Sequence, residues 1–80
     1  MRTVPTIHRE AGYGFRFRAN DGSAPPHVYV EGNGGRAKFC LPDAGLVRTE
    51  GYNRRQLATL QVIVAKNADD WLRRWHDFFD

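Results

Sequence analysis

The residues equipped for chemistry gather in two short alternating runs. In His27-Val28-Tyr29-Val30-Glu31 the polar side chains take every second place. In Gly14-Phe15-Arg16-Phe17-Arg18 the arginines do the same between aromatics. An extended chain points successive side chains to opposite faces, so each run separates an apolar face from a polar one. His27, Tyr29 and Glu31 then project together, beside Arg16 and Arg18, with Lys38 on the return strand. Such a set has the parts for acid–base chemistry on a phosphodiester. Histidine exchanges a proton near neutral pH, and Arg or Lys stabilises charge on phosphate oxygens. The same set can bind RNA without cutting it, with an aromatic stacked on a base and arginines on the backbone. The plainer account is a solvated sheet face with cross-strand ion pairs, common in antiparallel sheets.

Other chemistry-bearing residues carry less. His27, Glu31 and Cys40 show no metal-ligand spacing, so no metal is expected. Gly12-Tyr13-Gly14 and Gly32 to Gly35 do not lead from a strand into a helix, so neither is a phosphate cradle and no cofactor is indicated. His8 lies near the start. His76 sits beside Trp75 near the end of a helical pattern, where it can meet the helix's negative end. Cys40 is the single cysteine, which excludes an internal disulfide. Flanked by Phe39 and Leu41, it reads as a small apolar residue.

The elements that must position these residues change character near residue 52. All eight glycines and all four prolines lie before it, and helix formers dominate after it. The first part predicts strands and turns: Gly12 to Ala19, His27 to Glu31, Arg36 to Leu41, and a short strand from Gly45 to Thr49. A further short strand around Thr3 to His8 can precede them. Asn20-Asp21-Gly22 and Pro25-Pro26 break the chain between the first two. Gly32-Asn33-Gly34-Gly35 predicts a hairpin turn.

From Asn53, a candidate N-cap, the spacing becomes helical. Leu57, Leu60, Val64, Ala68, Trp71, Trp75 and Phe78 form one stripe, widened by Val62, Ile63, Leu72 and Phe79. The register survives across Lys66-Asn67-Ala68-Asp69, so residues 53–79 can form one long helix. Asn67 and Asp69 can equally end one helix and cap another, which favours two consecutive helices, or one with a bend. The fold class is therefore α+β: an antiparallel sheet of three to four strands, with helix packed on one sheet face. Trp71 and Trp75 belong to this core, and their density for so small a chain makes part of the cluster a candidate partner interface.

Eighty residues make one domain with a thin core. The net charge is +3, and ten of the twelve basic residues are arginine. This mild bias permits nucleic-acid binding without requiring it, and arginine suits planar anionic partners. No apolar run is long enough for a membrane span, and MRTVPTIHRE lacks the apolar stretch of a signal peptide. With no paired cysteines, a cytoplasmic location is expected.

The run GYGFRFRANDGSAPPHVYVEGNGGRAKF, followed by a helical tail ending DDWLRRWHDFF, resembles a family of small bacterial proteins known as domain of unknown function 4160. The resemblance covers nearly the whole chain and touches Asp21, Pro25, Pro26, His27, Val28, Val30, Lys38 and Trp75. Such proteins are often encoded beside a second small protein of DNA-binding appearance. This implies a toxin–antitoxin-like pair acting through protein or RNA binding, with an antitoxin-like partner or self-association. The family pattern carries a second histidine where this chain has Tyr29. With His27 alone, a metal-independent ribonuclease loses support, and a binding role loses less.

Overall fold

The computed structural model describes residues 6–18 and 22–79. Five antiparallel strands form one sheet in sequence order: β1 (Thr6–Glu10), β2 (Tyr13–Arg16), β3 (His27–Gly32), β4 (Gly35–Cys40) and β5 (Leu46–Glu50). One helix, α1 (Arg54–Phe79), follows. The α+β class stands, but there are five strands rather than three or four. The chain around Thr6 completes an edge strand, whereas Thr3 lies outside the described residues, as do Ala19 to Asp21 of the first strand's end and its turn.

Of the two helical arrangements the sequence allows, the single helix forms, and the favoured break or bend is absent: α1 runs unbroken for 26 residues. Asn67 caps nothing: its side chain donates to the Ile63 carbonyl one turn back, at 2.8 Å. This local bond keeps the amide on the helix surface instead of drawing the backbone out of it. The start does behave as the sequence implies. Asn53 Oδ1 accepts from the Gln56 amide at 2.8 Å, and Gln56 Oε1 accepts from the Asn53 amide at 2.9 Å. This reciprocal box satisfies two donors at the helix start.

The core lies between α1 and one sheet face. Phe15, Val28, Val30 and Phe39 meet Leu60, Val64 and Trp71 there, all essentially without exposed surface. Aromatics of β2 and of the residue just past it cover the helix, with Phe15 against Trp71 at 5.0 Å and Phe17 edge-on to Trp75 at 5.3 Å between ring centroids. Val62 departs from the expected stripe and is 64% exposed, because the contact face of the helix is narrower than the apolar pattern.

At one end of the sheet, three turns are locked together. Asn33 donates to the Ala11 carbonyl at 3.0 Å, and Gln56 Nε2 donates to the Asn33 carbonyl at 3.3 Å. Tyr52 donates its hydroxyl proton to the Gly32 carbonyl at 2.8 Å. Partial burial, with Tyr13 and Glu31 nearby, raises the Tyr52 hydroxyl pKa to about 12. Gly32 adopts φ 123°, and a side chain there would strike the Gly12 carbonyl. Only glycine accommodates both demands.

Candidate functional site

The sheet face opposite the helix carries the polar residues of β2 to β5. Strand register places Arg16 beside Tyr29, Tyr29 beside Lys38, and Lys38 beside Arg48. These four form a row perpendicular to the strands. At roughly 4.8 Å per strand it spans about 14 Å of backbone. The next row reads Glu31, Arg36, Glu50, again in register. A concavity of about 1020 Å³ lies in front of both rows.

The two rows differ in how their charges are met. Arg36 Nε approaches Glu50 at 3.9 Å, and Arg16 Nε approaches Glu31 at 3.5 Å. The second contact has the distance of an ion pair without forming a hydrogen bond, and the Arg16 Nε atom is buried. Lys38 and Arg48 have no acidic partner among the described residues. They stand directly opposite each other on adjacent strands. Like charges so placed repel, at a cost on the cross-strand scale of roughly 0.2–1 kcal/mol. Arg18, just past the end of β2, lays its guanidinium over the Tyr29 ring at 3.9 Å from the centroid. Lys38 Nζ is 5.7 Å from the same centroid.

His27 does not join this open row. Its parity matches Tyr29, but it is only 3% exposed. It stands at the first position of β3, and its ring lies toward the helix. It contacts Trp75 at 4.9 Å and Tyr29 edge-on at 5.1 Å between centroids. Its Nδ1 donates to the Pro25 carbonyl at 2.8 Å. Since a carbonyl only accepts, this nitrogen carries a proton. The neighbouring prolines serve the same corner. Pro26, which has no amide to place, offers its carbonyl to the Leu41 amide at 3.0 Å and so extends the pairing of β3 with β4.

The remaining sequence candidates scatter. Trp71 and Trp75 are 1% and 3% exposed, so the indoles fill the core rather than an outer surface. His8 packs between Phe15 and Trp71, and its Nε2 meets Glu10 at 2.9 Å. His76 is exposed in the last turn of α1. Cys40 is half-buried and lies opposite His27 in register. Asp21 lies outside the described residues. Among the described residues, no three His, Cys, Asp or Glu side chains gather to hold a metal, and no helix is long and apolar enough to cross a membrane.

The residue the sequence reading missed is Arg48. Alternation in the fourth expected strand could have put it on the polar face. Its pairing with Lys38 rests on an irregularity between Lys38 and Phe39, where the register shifts. Such an inserted residue leaves no mark in composition.

The model of domain of unknown function DUF4160 matches residues 12–76. This chain belongs to the DUF4160 family. The matched part of this DUF4160 protein begins just before β2 and ends near the close of α1, so it holds the cationic row, the His27 corner and the core helix. It leaves out β1. No curated protein and no solved structure matches the chain.

Proposed function

We propose that this DUF4160 protein binds RNA on its open sheet face and acts as a binding module without cutting its ligand. One observation carries the reading: Lys38 and Arg48 face each other across adjacent strands, with no acidic partner among the described residues. A phosphate group between two such cations converts a repulsion into two charge-assisted contacts. Arg16 and Arg18 extend the positive field toward the other edge, while Glu31 and Glu50 confine it to the row. A polyanion is therefore guided across the strands, not along them.

Burial weighs against the ribonuclease alternative. A general acid or base must reach the proton it transfers, and His27 offers almost no surface. Its hydrogen bond and ring contacts suit a residue that holds the Tyr29 corner in place. The toxin–antitoxin association implied by the family resemblance is a further step. It would make this RNA contact either the damaging event or the surface that a partner masks.

The test is RNA binding measured over a range of salt concentrations. Lys38→Gln and Arg48→Gln should each weaken binding and reduce the slope of log K against log salt by about 1. Each should also leave stability unchanged or slightly higher at low salt, because a like-charge pair is removed. If both variants bind as the wild type does, the row is not the contact surface. Growth on tight induction of the wild type and the Lys38→Gln variant tests the toxin reading. Equal growth of the two, at equal soluble expression, removes it.

A further inference from the structure

We infer that Arg18 and Tyr29 form a base-stacking platform, and hence that the ligand is single-stranded. The inference rests on the RNA-binding reading and narrows its substrate class. Arg18 is exposed and has no acidic partner among the described residues. Its guanidinium instead lies 3.9 Å from the centroid of Tyr29. The ring beneath is held from the side by His27, edge-on at 5.1 Å, and His27 is anchored to Pro25. A planar cation is thus held over a braced aromatic. A flat cation on a ring is a surface on which a third planar group can stack.

Bases meet that description only when they are unpaired and splayed. In an A-form duplex they are stacked inside, and the deep, narrow major groove excludes side chains. A sheet face then meets a duplex mainly through phosphate and sugar, with no base face free to stack. Beside a single strand, the platform takes a base while Lys38 and Arg48 take the backbone further along the row. The sheet register puts Tyr29 and Lys38 on adjacent strands, so both kinds of contact fall within one short stretch of chain.

Fluorescence anisotropy with labelled RNA separates the two levels of the argument. The probes are a single strand of about ten nucleotides, within the usual range for one binding module, and a hairpin duplex with the same number of phosphates. Heparin serves as a polyanion without bases. The single strand should bind more tightly than the duplex. Tyr29→Leu should weaken single-strand binding roughly 5- to 150-fold, the usual effect of losing one stacked base. It should leave duplex and heparin binding unchanged, and Tyr29→Phe should bind like the wild type. Arg18→Gln removes the guanidinium plane at an exposed position, so it tests the platform even where Tyr29→Leu disturbs folding. It should lower affinity for the single strand more than for heparin. If single strand and duplex bind equally and these variants affect both alike, the platform is overturned and the phosphate row survives. If no RNA binds at low salt, both readings fall.

Discussion

His27 shows how one side chain's role depends on where its strand ends. In the middle of β3 the same parity would expose it beside Tyr29. At the first position of the strand, next to Pro26, its ring turns inward and becomes 3% exposed. The imidazole then stabilises through packing on Trp75 and through the bond to the Pro25 carbonyl. His27→Ala should therefore lower stability by about 1–3 kcal/mol, the range for leaving a buried polar partner unpaired. Urea denaturation monitored by circular dichroism measures this. A stability equal to the wild type, with RNA cleavage abolished, would restore His27 as a chemical residue. The residue types of the open face were legible from alternation alone. The burial of His27 was not, because alternation tells faces apart but says nothing about strand ends.

The helix is the element on which sequence and structure differ most instructively. Its start is a local matter, since Asn53 and Gln56 lie three residues apart and satisfy each other's amides. Asn53→Ala should cost about 1 kcal/mol, as the loss of a good N-cap does, and thermal unfolding would register it. No change in midpoint would mean that water or another side chain replaces the cap. Its continuity past Asn67 is a tertiary matter. Ile63, Val64, Ala68 and Trp71 are buried on both sides of that point. Breaking the helix there would remove one half of this stripe from the sheet. Burial of a large apolar side chain is worth about 1.5–3 kcal/mol, which outweighs the few tenths by which Asn or Asp is a poor helix former.

At the scale of the whole molecule, β1 is fastened to the helix by charge as well as packing. Glu10 accepts from His8 at 2.9 Å and from Lys66 at 2.7 Å, joining positions far apart in sequence. The His8 hydrogen bond, then that of Lys66, holds the Glu10 carboxyl below its ordinary value of 4.5. A depressed folded pKa contributes stability above the unfolded value, and this is lost as the pH falls through the folded one. Glu10→Gln should therefore narrow the gap in melting temperature between neutral pH and pH values below 4.5. An unchanged pH profile would show that the exposed network contributes nothing.

The sequence by itself determined the α+β class, the aromatic face of β2, the β3–β4 hairpin and the helix start. Each depends on residues within a few positions of one another, through alternation, turn geometry or capping. Only the tertiary structure decided which cations stand together. Register across β4 and β5 sets Lys38 against Arg48, and a register shift that composition does not reveal controls that pairing. It also decided that His27 faces inward and that α1 does not break, because both follow from what the opposing layer covers. Local rules act through the backbone of a few residues, whereas the candidate site depends on contacts made only after distant strands have paired.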